Sequence, residues 1–157
     1  MSTSASSEVI KCPVCGKKNR VPAAASGIPQ CGNCHSPLPW IANAGDDGYR
    51  DVVEESSLPV LVDLWAPWCG PCHLVSPALE QLANDFAGKV KLVKINVDES
   101  PALAQRFQAR GIPMLLVLHA GRKVAEQVGA APEQVLRPWL EHALQDASTS
   151  SVQARAE

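Results

Sequence analysis

Apolar residues follow two patterns along this chain, and the two patterns alternate. Continuous apolar runs, which are typical of strands buried on both faces, lie at residues 60–64 and 114–118. At residues 74–86 and from Pro132 onward, apolar residues are three or four positions apart, as on a helix with one buried face. The whole pattern predicts strands at residues 40–42, 60–64, 90–97, 114–118 and 124–128, and helices at residues 46–56, 74–86, 101–108 and from residue 132.

Polar residues and prolines indicate where the predicted helices begin. Asp46 or Asp47 can cap the first helix and Ser100 the third, because a short polar side chain accepts hydrogen bonds from the unpaired N–H groups of a first turn. Pro101 suits a first helical turn, since that position needs no N–H donor. Pro77 lies inside the second helix and should bend it.

The order of the elements indicates the fold class. Strands and helices alternate up to residue 118, and residues 119–122 then form a predicted hairpin turn between the last two strands. Alternation favours parallel strand pairs, whereas a hairpin pairs its strands antiparallel. We therefore predict an α/β fold in which a mixed central β-sheet is flanked by helices on both faces.

The six cysteines form three C-x-x-C pairs, two of them near the N-terminus. Fifteen residues separate Cys12 and Cys15 from Cys31 and Cys34, a spacing typical of a tetrahedral zinc site. Each pair with its following glycine is expected to form a tight turn, and metal ligation should supply most of the folding free energy here. Two surface disulfides or idle thiols are the alternative. We interpret His35 as a solvated neighbour of the site and not as a ligand.

The third pair, Cys69 and Cys72, lies where a predicted strand meets a predicted helix. Residues three apart on a helix share one face, so the two sulfurs are close enough for a disulfide. Cys69 is expected at the helix N-terminus, where free N–H groups and the helix dipole favour an anion and lower the pKa of a thiol. This pattern predicts a redox-active dithiol, with Cys69 nearer to solvent and Cys72 more buried.

Composition and charge narrow the possible functions. Apolar residues make up 46% of the 157 residues, which is enough for a packed core, and no apolar run is long enough to cross a membrane. Residues 1–7 lack the features of a signal peptide, so we expect a cytoplasmic protein. Residues 1–40 carry a net charge of +3, but four thiolates on one zinc ion would reduce it to about +1. Nucleic-acid binding and membrane binding are therefore not expected.

The same patterns divide the chain into four predicted segments. Residues 1–8 form a disordered N-terminus, and residues 9–38 form a zinc-ribbon module. Residues 39–146 form the α/β domain. Residues 147–157, which are rich in Ser, Gln and Ala, form a flexible C-terminal tail.

The residues around the third cysteine pair resemble the thioredoxin family. The string Trp-Ala-Pro-Trp-Cys-Gly-Pro-Cys ends at Cys72, with Asp63 before it and Gly-Ile-Pro ending at Pro113 after it. Val-Gly-Ala around Gly129 is also similar, and the match covers about residues 40–144. With the N-terminal cysteines and the segment Asn-Arg-Val-Pro ending at Pro22, the chain resembles the zinc-containing bacterial branch of that family.

This resemblance implies a thioredoxin fold and assigns catalytic roles. Cys69 would be the nucleophile that attacks a substrate disulfide, and Cys72 would be the resolving cysteine. Asp63 would accept the proton of Cys72, through water, with a raised pKa because the carboxyl group is buried. Lys94 would modulate Asp63. A carboxylate at the polar edge of the sheet and a plain surface lysine are the alternatives for the last two residues.

The resemblance also implies a substrate-binding surface. Pro113 would follow a cis peptide bond and face the cysteines, and the backbone of Ile112 would pair with an extended substrate. Trp68, Gly70, Pro71 and Gly129 would complete an apolar docking site. The chain departs from the family pattern at two positions. These are His73, where Arg or Lys is usual, and Met114, where Thr is usual. His73 is either a source of pH dependence or a solvated surface residue.

The predicted function is general reduction of protein disulfides, with electrons from NADPH through a thioredoxin reductase and no bound organic cofactor. Disulfide-containing client proteins and the reductase are the predicted partners. One zinc ion, held by Cys12, Cys15, Cys31 and Cys34, would be structural or redox-sensing. The alternative is a zinc-dependent adaptor or holdase that binds clients in the peptide groove of the fold.

Overall fold

A computed structural model describes residues 7–156, with side chains described for residues 7–149. Seven strands and three α-helices make up this part of the chain. In chain order they are β1 (Ser7–Lys11), β2 (Lys18–Pro22), β3 (Trp40–Ala44), β4 (Val60–Trp65), α1 (Gly70–Asp85), β5 (Lys91–Asn96), α2 (Pro101–Arg106), β6 (Met114–His119), β7 (Arg122–Val128) and α3 (Glu133–Ala156).

Five strands form the central sheet in the order β3-β5-β4-β6-β7. β5 pairs parallel with both β3 and β4, whereas β6 pairs antiparallel with both β4 and β7. β4 lies in the middle, and residues 60–64 are at most 2% exposed, as a run that is apolar except for Asp63 predicts. The predicted mixed sheet is confirmed, and the five predicted strands are all present.

Each face of the sheet covers its own apolar core. One core includes Tyr49, Val52 and Val53, which come from the segment between β3 and β4. The other core packs the apolar stripes of α1 and α3 against β4 and β6. The side chains of successive strand residues point to opposite faces, so a strand buried on both sides supplies both cores.

A second, two-stranded sheet precedes the central one. β1 pairs antiparallel with β2, a hairpin that the sequence analysis did not predict. Trp40 joins the two sheets, because its indole N–H donates to the carbonyl of Pro22 at 2.9 Å. The predicted ribbon therefore has an apolar core, which it shares with residues outside the ribbon. The members of this ribbon core are Cys12, Val21, Cys31, Leu38, Trp40 and Leu58.

The segment between β3 and β4 differs from the prediction. It forms a π-helical turn at Arg50–Glu54 in place of a helix at residues 46–56. Neither Asp46 nor Asp47 caps it. The carboxylate of Asp46 instead accepts from the N–H groups of Ala102 and Leu103, at 3.0 and 2.9 Å, in the first turn of α2.

Ser100 was also predicted wrongly as a capping side chain. It is the N-cap residue of α2, but its side chain makes no capping hydrogen bond. The distant Asp46 already satisfies the N–H groups of that turn, so the local serine has none left to cap. Pro101 occupies the first turn, as predicted.

Both predicted unstructured ends need correction where the structure describes them. Ser7 and Glu8 belong to β1, because they pair with Pro22 and Val21. Residues 1–6 lie outside the described part. The predicted flexible tail is helical up to Ala156, because α3 continues through it. No helix within residues 7–156 combines the length and the apolar character that a bilayer span requires.

Candidate functional site

The redox pair lies at the junction of β4 and α1. β4 ends at Trp65, and α1 begins at Gly70, with Pro71 in its first turn. Cys69 is the N-cap residue, and its Sγ accepts a hydrogen bond from the backbone N–H of Cys72 at 3.1 Å. The two sulfurs form a disulfide with a Cα–Cα distance of 5.3 Å. A helix N-terminus favours negative charge at an N-cap atom, so the geometry suits a thiolate at Cys69.

The sequence analysis predicted that Cys69 is more exposed than Cys72, but the structure shows no such difference. Cys69 is 4% exposed and Cys72 is 3% exposed, so both are buried in the oxidised state. Their surroundings do differ. Cys69 Sγ lies 3.8 Å from the carbonyl oxygen of Ile112, whereas Cys72 lines an opening beside Asp63.

The loop before β6 faces the disulfide. The Ile112–Pro113 peptide bond is cis, as predicted for this position. The N–H of Gly129 donates to the carbonyl of Pro113 at 2.8 Å and joins this loop to the segment after β7. Gly129 has a φ of 92°, a conformation that glycine adopts without steric cost.

Three apolar side chains on segments next to the redox pair or its facing loop are exposed. Trp68 is 70% exposed, although its indole N–H donates to Asp98 at 2.9 Å. Leu74 on α1 is 79% exposed and Val128 on β7 is 54% exposed. Leu74, Val128 and Asp98 were not predicted as part of this surface. The spacing of Leu74 fits the apolar stripe of residues 74–86, but its side chain is exposed.

A cavity of about 210 Å³ opens beside the buried end of the redox pair. It is wide enough for several water molecules. Asp63 lies directly opposite Lys94 in the register between β4 and β5. The ammonium of Lys94 donates to Glu80 at 2.9 Å and to Ser76 at 3.1 Å. The residues that line the cavity are Asp63, Trp65, Cys72, His73, Ser76 and Lys94.

Asp63 is a buried carboxyl group in this cavity. It is 2% exposed, and its Oδ1 has no hydrogen-bond partner within residues 7–156. Burial raises the pKa of Asp63 to about 6, and the positive charge of Lys94 partly opposes this increase. A carboxyl group with this pKa can both accept and release a proton near neutral pH.

The two departures from the family pattern have different surroundings. Met114 is 5% exposed, packs in the apolar core and pairs with Val128 across β6 and β7. His73 is exposed, but its ring is held in place. Its Nε2 lies 2.8 Å from the carbonyl oxygen of Pro67, and its ring packs edge-on against Trp65.

The four N-terminal cysteines converge, as their spacing predicts. All four Sγ atoms lie within 4.8 Å of one another. The Cys12–Cys34 and Cys15–Cys31 sulfur distances are both 3.6 Å. Four thiolates at about 2.3 Å from a tetrahedral zinc ion would lie about 3.8 Å apart, so these residues fit a metal ion of that size.

Two similar turns position these sulfurs. The N–H of Gly16 donates to the carbonyl of Cys12, and the N–H of His35 donates to that of Cys31, both at 2.9 Å. Only the first cysteine pair is followed by a glycine. The prediction that a glycine follows each pair was therefore wrong for Cys31 and Cys34. His35 takes that place with a φ of 64°, and its exposed side chain is no ligand.

Hydrogen bonds from the second turn stabilise negative charge on its sulfurs. The backbone N–H groups of Cys34 and Asn33 lower the pKa of Cys31 to about 6. The neighbouring Ser36 lowers the pKa of Cys34. Thiolates are the form that binds metal, so the turn prepares its cysteines for ligation.

A buried lysine connects the ribbon to the central sheet, and the sequence analysis missed it. Lys91 is fully buried, and its ammonium donates to the carbonyls of Ala23 and Val52 at 2.5 and 2.6 Å. The same ammonium lies 4.0 Å from the centre of the Trp40 ring. Desolvation lowers the pKa of Lys91 to about 8. Its position at the start of β5, in a mostly apolar strand, was the available signal.

Comparisons with known proteins agree with this geometry. The thioredoxin family model matches residues 40–142. The thioredoxin of Haemophilus influenzae is 48% identical over 100 residues, covering 64% of this chain and 94% of the relative. Thioredoxin 1 of a Nostoc species is 44% identical over 100 residues, with the same two shares. The thioredoxin of a Synechocystis species is 45% identical over 96 residues, covering 61% and 90%.

Proposed function

The chain belongs to the thioredoxin family and is a protein-disulfide reductase, and on this premise we propose how its residues perform the reaction and what the ribbon adds. The supporting observation is the redox pair itself. Cys69 is at a helix N-terminus with Cys72 one turn further, and their sulfurs are within bonding distance.

The first step forms a bond between protein and client. The Cys69 thiolate attacks one sulfur of a client disulfide, which breaks that disulfide and releases the other client sulfur as a thiolate. The backbone N–H of Cys72, at 3.1 Å from Cys69 Sγ, stabilises the thiolate before the attack. A mixed disulfide between Cys69 and the client is the product of this step.

The second step releases the client. Cys72 loses its proton to Asp63 through water in the cavity, and the resulting thiolate attacks Cys69 Sγ. The mixed disulfide breaks, the second client sulfur leaves as a thiolate that then takes a proton from solvent, and the Cys69–Cys72 disulfide forms. Two electrons have then passed from protein to client. Lys94 favours the ionised form of Asp63 and so keeps it able to accept the proton.

The exposed apolar surface would bind the client. Trp68, Gly70 and Pro71, which flank Cys69 in sequence, would contribute to this surface together with Ile112, whose carbonyl oxygen lies 3.8 Å from Cys69 Sγ, and Gly129. An extended client segment would pair with the backbone of Ile112 next to Pro113, with its disulfide placed over Cys69. Apolar side chains suit loops and partly unfolded segments, so a broad range of clients is expected.

We propose zinc as the metal of the ribbon, because four thiolates at tetrahedral separations are typical of a structural zinc site. Cys12, Cys15, Cys31 and Cys34 would hold it. The thiols must stay reduced to bind it, which fits the reducing cytoplasm. A thioredoxin reductase would return electrons from NADPH to the Cys69–Cys72 disulfide, with no organic cofactor on this chain.

Insulin reduction tests this function. The protein, NADPH and a bacterial thioredoxin reductase should together reduce insulin disulfides and consume NADPH. Cys69→Ser should abolish NADPH consumption, because the attacking sulfur is gone, while circular dichroism stays unchanged. A folded wild-type protein with no more turnover than Cys69→Ser would refute the proposal.

The exposure of Trp68, Leu74 and Val128 favours a second candidate function, that of a client-binding adaptor or holdase. This function requires no sulfur chemistry. It predicts that a Cys69→Ser/Cys72→Ser variant still prevents aggregation of an unfolded client, and that chelation of zinc abolishes this protection. Protection that is lost in the double variant, or kept without zinc, would exclude the adaptor.

A further inference from the structure

The side chain of Asn19 contacts the first cysteine turn of the ribbon. Asn19 is half-buried and lies on β2, opposite Ile10 of β1. Its Nδ2 donates to the carbonyl of Lys17 at 3.0 Å. The same carbonyl accepts from the N–H of Cys12 at 2.8 Å, the hydrogen bond that closes the first turn. The Asn19 amide is therefore attached to the atom on which that turn closes.

The same amide also contacts the second cysteine turn. Its Oδ1 accepts from the backbone N–H of Gly32 at 2.9 Å, and its Nδ2 donates to the sulfur of Cys31 at 3.5 Å. An amide nitrogen carries two hydrogens, so Nδ2 can donate to Lys17 and to Cys31 at once. The backbone carbonyl and the backbone N–H fix which end of the amide is which. One side chain thus connects the two halves of the four-cysteine cluster.

The sulfur of Cys31 depends on donors from the protein. Cys31 is 1% exposed, so water has little access to it. Besides Asn19, the backbone N–H of Asn33 donates to this sulfur at 3.4 Å. Four thiolates carry more negative charge than one zinc ion neutralises, and N–H groups directed at a sulfur stabilise the excess. Without the Asn19 side chain, Cys31 would have one donor fewer and no ready replacement.

Asn33 makes the reverse contact between the two turns, but in a different setting. Its Nδ2 lies 3.5 Å from the sulfur of Cys15. Asn33 and Cys15 are both exposed, so water can take the place of this donor. Asn19 is the half-buried member of the two, and its amide binds backbone atoms of both turns as well as a sulfur.

We propose that Asn19 is a positioning residue of the metal site, which holds the two cysteine turns together and donates a hydrogen bond to the sulfur of Cys31. The inference rests on the zinc ion proposed for the ribbon. Groups that orient metal ligands commonly change the metal affinity by about 10- to 100-fold when they are replaced. Asn19 therefore sets how tightly the ribbon holds its metal.

The zinc affinity of the full chain tests this proposal. Competition with a chelator gives the dissociation constant for Zn²⁺. Asn19→Leu is similar in size but has neither donor nor acceptor, so its dissociation constant should rise about tenfold. Asn43→Leu is the matched control and should bind Zn²⁺ as wild type does. Asn43 also contacts the ribbon, through a hydrogen bond to Glu8 of β1, but this contact is not to the cysteine cluster.

Co²⁺ in place of Zn²⁺ distinguishes the hydrogen bond from a general loosening of the ribbon. The energy of its sulfur-to-metal charge-transfer band depends on how readily the sulfur gives up an electron. A hydrogen bond withdraws electron density from sulfur, so the band should move to longer wavelength in Asn19→Leu. Asn19→Asp keeps an acceptor for Gly32 but has no donor, so its band should move in the same direction. This variant provides the test should Asn19→Leu fold poorly.

An Asn19→Leu variant that binds Zn²⁺ as tightly as wild type would overturn the proposal. An equal loss of affinity in Asn43→Leu would overturn it as well, and so would a Co²⁺ band at the wild-type wavelength in both Asn19 variants. A wild-type protein that binds neither metal ion would instead refute the proposed zinc site, and with it this inference. The reductase function is tested separately, by insulin reduction.

Discussion

The ammonium of Lys91 lies 4.0 Å from the centre of the Trp40 ring, in the fully buried space between the ribbon and the central sheet. Trp40 in turn donates to Pro22, and Lys91 donates to Ala23, so both residues bind the chain between the two N-terminal cysteine pairs. These contacts make the ribbon part of the same packed structure as the sheet.

Replacing Lys91 by Met should therefore destabilise the whole protein. Met retains most of the apolar stem but leaves the carbonyls of Ala23 and Val52 without this donor, at a cost of about 3 kcal/mol. Urea unfolding should show the loss. Lys89→Met is the control, because Lys89 is exposed two residues earlier. Equal stability of the two variants would contradict the proposed role of Lys91.

Asp63→Asn should stabilise the protein at neutral pH and slow its reaction. The pKa of Asp63 is raised to about 6, so the folded state binds a proton more tightly than the unfolded state. The cost in stability therefore grows from about pH 4 to about pH 6, is on the order of 3 kcal/mol at pH 7, and is absent below about pH 4.

Urea unfolding of the oxidised protein checks this at pH 7 and pH 4. Asp63→Asn should be more stable than wild type at pH 7 and about equal at pH 4. Its single-turnover reduction of insulin at pH 7 should be slower, because no carboxylate accepts the proton of Cys72. A stability difference that does not change with pH would show that burial of the charge is not the cause.

Removal of zinc should lower the stability of the full chain. The ribbon core joins Cys12 and Cys31 to Trp40 and Leu58 of the larger domain, so loss of the metal loosens both. We expect a chelator to release one zinc ion per chain and to lower Tm by about 6–12 °C. If residues 39–146 of the full chain unfold at the same temperature after metal release, the ribbon does not stabilise the α/β domain.

Peroxide titration separates a structural zinc from a redox-sensing one. A structural site keeps its zinc at peroxide doses that oxidise Cys69 and Cys72, because ligated thiolates react less readily than a free one. Zinc release in step with oxidation of Cys69 would favour a sensor. Cys15, the exposed ligand, is the first residue to examine for oxidation by mass spectrometry.

Asp98→Ala should weaken client binding. The carboxylate of Asp98 accepts from the indole N–H of Trp68 at 2.9 Å and orients a ring that is 70% exposed. Without this bond the ring has more freedom, so KM for insulin should rise about threefold while kcat changes little. Asp98→Asn retains an acceptor oxygen and is the control. A change in kcat alone would contradict a binding role.

The sequence alone was sufficient for most of the fold. The short apolar runs at residues 60–64 and 114–118 are typical of buried strands, and both strands are present where predicted. The redox pair was equally clear, because the eight-residue string Trp-Ala-Pro-Trp-Cys-Gly-Pro-Cys is far more specific than a C-x-x-C pair alone. The convergence of the four ribbon cysteines followed from their spacing.

The largest errors arose where a contact joins residues far apart in sequence, and one arose within a local turn. Asp46 lies more than fifty residues before the helix that it caps, so no local pattern connects it with Ala102. Lys91 follows the alternation of an ordinary strand, and only tertiary packing shows that its charge is buried. His35 adopts a positive φ that sequence patterns assign to glycine, because the turn at Cys31 imposes it.

Trapping of the mixed disulfide tests the central claim most directly. Cys72→Ser removes the resolving sulfur, so wild-type-like attack by Cys69 should leave the protein covalently bound to a disulfide client. Mass spectrometry should then locate the bond at Cys69, and a reductant should release it. Cys69→Ser should trap no client under the same conditions. Equal trapping by both variants, or by neither, would contradict the assignment of Cys69 as the attacking sulfur and Cys72 as the one that completes the exchange.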